Sequence, residues 1–264
     1  MKKRKIISSL VVIVAILAVS SVVMDWLALF RCGAVEQCLS DCSGYQRMAK
    51  FAIIVAMTVV VFLIGDCENC PRDRKLLQAG FVFALCAEYC MKVLDDAALF
   101  GICLFMVVQT LFIFRHTRAS DFDRHFPRIL YIPFGMMILV VVLFLVEVLK
   151  SPKLSIVVAY GMFVICSLIV ACRASKKGYF PTRNAKFIKW GMILFFCCDV
   201  CVGISGVVAE DYSVQKIFTT VAHNLVWMFY APSLVLLGLS GYDFSKSEPR
   251  SLHPLVKDTT SNST

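Results

Sequence analysis

Apolar residues recur along this chain in long, nearly unbroken runs separated by short charged stretches, the pattern of helices that bury all sides in lipid or protein. Lipid offers no hydrogen bonds, so a spanning helix must satisfy its own backbone over roughly 20 mostly apolar residues. Eight segments meet that requirement, near residues 6–24, 49–64, 76–94, 98–114, 129–149, 154–172, 187–206 and 218–240. The expected fold is an all-α membrane protein with eight transmembrane helices. No separate soluble domain is expected, because the connections are short apart from an outer loop at 25–48 and an inner loop at 173–186. Residues 1–241 form the membrane domain, followed by a flexible cytoplasmic tail over 242–264 that is rich in Ser, Thr, Pro and Lys and lacks apolar periodicity.

Composition agrees with this reading: 59% of the 264 residues are apolar, 17% are charged and the mean hydropathy is +0.78. A soluble domain would carry about 25% charge. The net charge of +9 is best read as an orientation signal. Placing the N-terminus inside puts 20 of the 27 Lys and Arg residues on cytoplasmic segments, including Lys2 to Lys5, Arg115 to Arg128 and Arg173 to Lys189. Both termini are therefore expected in the cytoplasm, with the plasma membrane as the expected location. The basic tip before the first span also has the form of a signal-peptide n-region, but the apolar stretch after it is longer than most signal peptides use, which favours a retained anchor. Nucleic acid is not an expected partner, since no aromatic-basic patch or motif accompanies the charge.

Of the 13 cysteines, Cys32, Cys38 and Cys42 fall in the outer loop, where an oxidising compartment would pair two and leave one. Cys67 and Cys70 form a single C-x-x-C with no second pair or nearby His, so no metal site is expected. The eight within spans read as small apolar packing residues.

Ionisable residues inside spans are costly and are functional candidates by default. Here they are Glu88 and Asp199, with Asp25, Lys50, Lys92, Asp95, Asp96, Glu147 and Lys150 nearer the span ends. Spans three and seven align at a constant offset of 111 residues, matching Gly80 with Gly191, Cys86 with Cys197, Glu88 with Asp199 and Cys90 with Cys201. Both spans run in the same direction, consistent with two parallel four-helix repeats about an axis along the membrane normal. The two carboxyls then lie at matching depths, about 18 Å from the inner end at 1.5 Å per residue. Two carboxyls sharing one cavity favour one neutral acid beside one anionic base, the equipment of general acid-base catalysis. The structural alternative for Glu88 is an ion pair with Lys92, four residues on in the same helix. Asp199 has no basic residue within a helical turn.

Over nearly its whole length the chain resembles the YhhN-like lysoplasmalogenases, eight-span membrane proteins. The residues that carry the resemblance are Ala87-Glu88, Asp95, Gly101 and Gln109 on spans three and four, Lys50 opening span two, Tyr160 on span six, Gly191 and Asp199 on span seven, and Tyr230 on span eight. Three positions depart from the family pattern: Glu88 stands where Asp is usual, Gln109 where His is usual, and Pro232 where Gln is common. The resemblance implies hydrolysis of the vinyl ether of a lysoplasmalogen, giving a fatty aldehyde and glycerophosphocholine or glycerophosphoethanolamine, with no cofactor. It makes Glu88 and Asp199 the acid-base pair, and Lys50, Asp95, Gln109, Tyr160 and Tyr230 the substrate-binding residues. For Tyr160 and Tyr230 the structural alternative is aromatic packing, for Gln109 an interhelical hydrogen bond, and for Lys50 an interfacial anchor. A proton-coupled transporter is the competing class, because paired intramembrane carboxylates also load and release protons; an inactive lipid-binding protein is a third.

Overall fold

The computed structural model describes residues 2–32, 36–64, 71–94, 97–117, 126–145, 152–174, 176, 178–207 and 213–244. Eight helices follow one another: α1 (Lys2–Cys32), α2 (Glu36–Ile64), α3 (Pro71–Lys92), α4 (Ala98–Thr117), α5 (Phe126–Leu145), α6 (Pro152–Ala174), α7 (Thr182–Val207) and α8 (Ser213–Leu239). Among the described residues there is no strand. Helices α3 and α6 each begin on a proline, whose missing N–H costs nothing in the first turn, and Asp73 in the first turn of α3 complements the helix dipole. Pro133 and Pro232 lie inside α5 and α8, as membrane helices tolerate.

Among the described residues, six helices are long and apolar enough to cross a membrane: α1, α2, α4, α6, α7 and α8. The other two fall short for different reasons. Helix α3 has the length, but Lys75, Glu88 and Lys92 leave no 18-residue stretch with two charges or fewer. In α5 the apolar stretch among the described residues is Tyr131–Leu145, within a helix of 20 residues. The expected outer loop at 25–48 is corrected. Helix α1 continues to Cys32 and α2 starts at Glu36, because the polar residues there include no proline to stop either helix. The side chains of Cys32, Cys38 and Cys42 lie outside the described residues, as do Cys67, Cys70, Asp95, Asp96, Glu147, Lys150 and residues 245–264 of the expected tail. Tyr242 and Phe244, where that tail was expected to begin, are packed: Phe244 meets Phe187 of α7, and the Tyr242 carbonyl accepts a hydrogen bond from Asn184.

Neighbouring helices pack in sequence, α1 on α2, α2 on α3 and α3 on α4, then α5 on α6, α6 on α7 and α7 on α8. Crosswise contacts join α4 to α6 and α2 to α8, and α1 also reaches α8. The core lies between α2, α3, α4, α7 and α8, around Ile53, Met57, Phe81, Val108, Met192 and Leu237. The outward faces of α1 and α5 stay apolar, with Ile16, Val19 and Phe30 on one and Ile138, Val142 and Leu145 on the other exposed, as a lipid solvent requires. Two of the glycines that allow close approaches are Gly80 and Gly191. A Cβ on Gly80 would lie 2.9 Å from the Phe112 ring of α4, and one on Gly191 would lie 2.8 Å from Leu237 of α8. Without a side chain at these points the helices come together closely enough for dispersion to hold them.

One end of the bundle is tied by a fully buried guanidinium. Arg115 donates from Nε to Asp73 Oδ1 at 2.9 Å, from Nη2 to Asp73 Oδ2 at 3.2 Å, and from Nη1 to Ser240 Oγ at 2.8 Å, and it lies over the Phe180 ring. Asn184 of α7 donates to the Ser240 carbonyl at 2.8 Å, so α3, α4, α7 and α8 converge on one network. Counting Arg115 among loop cations is thereby corrected: the α4 helix runs past it to Thr117 and carries it into the core. Removing one partner of such a pair strands a buried charge. Asp73→Asn is expected to cost about 3 to 5 kcal/mol, seen as a lower thermal midpoint in detergent, and adding Arg115→Met to it should recover most of the loss. A double variant no more stable than Asp73→Asn alone would contradict a pair that acts as a unit.

Candidate active site

The two intramembrane carboxyls are held by different partners. Asp199, on α7, accepts a hydrogen bond from the Tyr160 hydroxyl of α6 at 2.9 Å, from phenol to carboxylate Oδ2. It has no ion-pair partner among the described residues. Glu88, on α3, takes Lys92 Nζ at 3.4 Å one helical turn away, the intrahelical pair that the spacing allowed. The thiol of Cys198, on α7, lies within electrostatic reach of both carboxyls, which brings Glu88 and Asp199 to the same interior region.

Tyr230 stands on the Glu88 side. Its buried hydroxyl lies against Glu88 but makes no hydrogen bond of standard geometry, leaving a donor aimed at a carboxyl. Gln109, fully buried on α4, has the same character: it neighbours the Tyr160 hydroxyl, and neither its Nε2 nor its Oε1 has a partner. Unsatisfied buried polar groups are rare, because each costs on the order of 1 to 3 kcal/mol. Two of them beside two carboxyls mark a polar interior built for more than packing.

Aromatic rings wall this interior. Trp227 meets Tyr230 edge-on at 5.3 Å between centroids, Tyr230 meets Phe195 at 5.7 Å, Phe195 meets Phe105 at 6.2 Å, and Phe105 meets Tyr160 at 6.4 Å. The series runs from Trp227 to the phenol on Asp199 through α8, α7, α4 and α6. Edge-to-face packing of this kind fixes ring orientation, and so fixes the two hydroxyls.

Toward the opposite end from Arg115, the bundle opens into a cavity of about 690 Å3 lined by Asp25, Arg47, Lys50, Lys92, Asn224 and Trp227 among others. Lys50 does not act as an exposed interfacial anchor. It is buried and pairs with Asp25 of α1 at 2.7 Å. Both lysines lie over the Trp227 ring, Lys50 Nζ at 5.7 Å and Lys92 Nζ at 4.9 Å from its centroid, and Asn224 donates to the Asp25 carbonyl at 3.2 Å.

Of the residues singled out from the sequence, the structure thus gathers Glu88, Asp199, Gln109, Tyr160 and Tyr230 into one cluster and sets Lys50 in the adjoining cavity. Asp95 lies outside the described residues. Trp227 and Asn224 were not anticipated. A single Trp within an apolar span has no signal that separates it from packing, whereas Asp25 and Lys92 stood out as charges near span ends.

The fold and site define a multi-pass helical membrane protein with a polar, carboxyl-bearing interior. The chain belongs to the YhhN family, whose profile matches residues 45–240, from the start of the cavity-lining part of α2 to the end of α8. No curated protein and no solved structure matches it. Helix α1, which supplies Asp25, lies outside the matched region.

If the Tyr160 phenol holds Asp199, the two should be energetically coupled. In a double-mutant cycle of Tyr160→Phe and Asp199→Asn, thermal unfolding in detergent is expected to give a coupling of about 1 kcal/mol. Strict additivity would mean that the bond contributes nothing.

Proposed function

We propose that this protein is a membrane-embedded hydrolase that cleaves the vinyl ether of a lysoplasmalogen to a fatty aldehyde and a glycerophospho-head group, using Asp199 and Glu88 as its acid-base pair. The observation that carries the reading is Asp199: a carboxyl inside an apolar helix, held by a phenol and by no cation, in the same interior as a second carboxyl. Family membership supports it by placing the chain among proteins of matching pattern.

The residues suit the chemistry. Asp199, held by the Tyr160 phenol and by no cation among the described residues, is assigned as the acid. It gives its proton to the vinyl carbon distal to oxygen, and the adjacent carbon becomes an oxocarbenium ion. Glu88, paired with Lys92 at 3.4 Å, is assigned as the base: it stabilises that cation and takes a proton from the water that adds to it. The hemiacetal then breaks its bond to the glycerol oxygen, which takes a proton, and the aldehyde leaves. The sum consumes one water and needs no redox partner. Tyr160 orients Asp199, while Tyr230 and Gln109 offer uncommitted hydrogen bonds to the ether oxygen or the water.

The same reading takes all eight helices as spans, with both termini in the cytoplasm of a plasma-membrane protein and a flexible tail beyond the bundle. Two parallel halves are supported by reciprocal contacts: α4 meets α6 as α8 meets α2, and Gly80 and Gly191, 111 residues apart, play the same close-approach role in α3 and α7. A single-tail lipid would enter laterally, its chain among the apolar helices.

Aldehyde release by the purified protein in detergent is the test. Wild type is expected to act on a lysoplasmalogen and not on the saturated ether. Asp199→Asn and Glu88→Gln should each lose roughly 100- to 10,000-fold, the range of a lost acid or base, while Glu88→Asp keeps measurable turnover. Full activity in both amide variants would contradict the assignment.

A further inference from the structure

The cavity beside the carboxyls has a charged and polar lining that is unusual for a membrane protein interior. The described residues of its wall, which encloses about 690 Å3, include Lys50, Lys92 and Asp25. Each lysine is shared. Lys50 bonds Asp25 at 2.7 Å and Lys92 reaches Glu88 at the longer distance of 3.4 Å, while both ammonium groups lie over the Trp227 ring, at 5.7 and 4.9 Å from its centroid. Two ammonium groups fixed over one indole, with Asn224 and Ser205 also in the wall, form a receptor for an anion with several oxygens.

We propose that this cavity is a binding site for a phosphodiester anion, the head-group phosphate of a single-tail lipid, held by Lys50 and Lys92 over Trp227. The identity of the lipid rests on the function proposed above; the anion site rests on the cavity. Depth supports the match. Lys92 stands four residues from Glu88 along α3, about 6 Å at 1.5 Å per residue, and Trp227 three residues from Tyr230 along α8, about 4.5 Å. In a glycerophospholipid five single bonds separate phosphorus from the ether oxygen of the first glycerol carbon, an extended reach of roughly 6 Å at ordinary bond lengths. A phosphate at the lysines therefore sets the ether bond at the level of the carboxyls. Asp25 competes with the ligand for Lys50, so it lowers the affinity of the empty site for any anion. It is carried by α1, outside the region matched by the family profile.

Trp227 is the native reporter. In full-length protein carrying Trp26→Phe and Trp190→Phe, which leaves Trp227 as the single indole, fluorescence is titrated in detergent with four probes: a saturated 1-O-alkyl lysophosphatidylethanolamine, glycerophosphoethanolamine, inorganic phosphate, and a 1-O-alkylglycerol that lacks phosphate. The expected result is saturable binding of the lysolipid and of the soluble head group. Lys92→Gln, and the paired deletion Asp25→Asn with Lys50→Met, which leaves no buried charge stranded, should each weaken both at least 10-fold. Asp25→Asn alone should tighten glycerophosphoethanolamine binding, an effect that a damaged fold does not produce. Equal responses to the alkylglycerol and the lysolipid would assign binding to the tail and overturn the proposal. So would lysine variants that bind like wild type, or saturation by inorganic phosphate without the two phosphodiesters. No probe contains a vinyl ether, so a protein that binds them but releases no aldehyde would fail the hydrolase reading alone.

Discussion

A charge buried among lipid-facing helices must have a partner, and the internal arrangement of this bundle follows from how each one is provided. Arg115 is neutralised by Asp73, Lys50 by Asp25 and Lys92 by Glu88, and each pair sits where two or more helices meet or where a turn of one helix faces the interior. Such pairs add little net stability over apolar packing, because desolvation offsets most of their attraction, but breaking one is costly. They therefore specify which helices meet and at what register. Asp199 is the exception. Its partner is a neutral phenol, so its charge is not compensated by any cation among the described residues. An acid kept in that condition is suited to carrying a proton, and the structure surrounds it with ring edges, a tyrosine donor and an unsatisfied glutamine.

The two ends of the bundle divide the work. At one, the guanidinium of Arg115 closes α3, α4, α7 and α8 into a rigid base through Asp73, Ser240 and the neighbouring Asn184. At the other, α1, α2, α3, α7 and α8 line the cavity, with Asp25 and Lys50 supplied by α1 and α2. Glycines at 80 and 191 allow close packing on the base side of the carboxyls, and Gly101 does the same against Met91 beside the cavity.

Much of this was legible in the sequence. Apolar runs located all eight helices, six of which are long and apolar enough to cross a membrane among the described residues, whereas Tyr160, Gln109 and Tyr230 stood out only through the family resemblance and their proximity to Glu88 and Asp199 comes from tertiary packing. The helix ends were less legible: nothing in Arg31 to Ala49 is apolar enough to read as a span, yet a helix needs only the absence of breakers to continue past the membrane core. Partners between distant segments were the least legible. Asp25 and Lys50, or Asp73 and Arg115, are ordinary charges near span ends until tertiary packing joins them, and no local pattern encodes which acid meets which base. Trp227 illustrates the same limit, because its role comes from two lysines on other helices.

The central claim is that a carboxylic acid of this interior protonates a vinyl-ether carbon. The most direct measurement is to let the protein act on a lysoplasmalogen in D2O, trap the aldehyde at once before its own exchange, and locate deuterium by mass spectrometry. One deuterium on the carbon next to the carbonyl is the predicted result, since that carbon receives the catalytic proton. An aldehyde without deuterium there, or no aldehyde at all, would contradict the account.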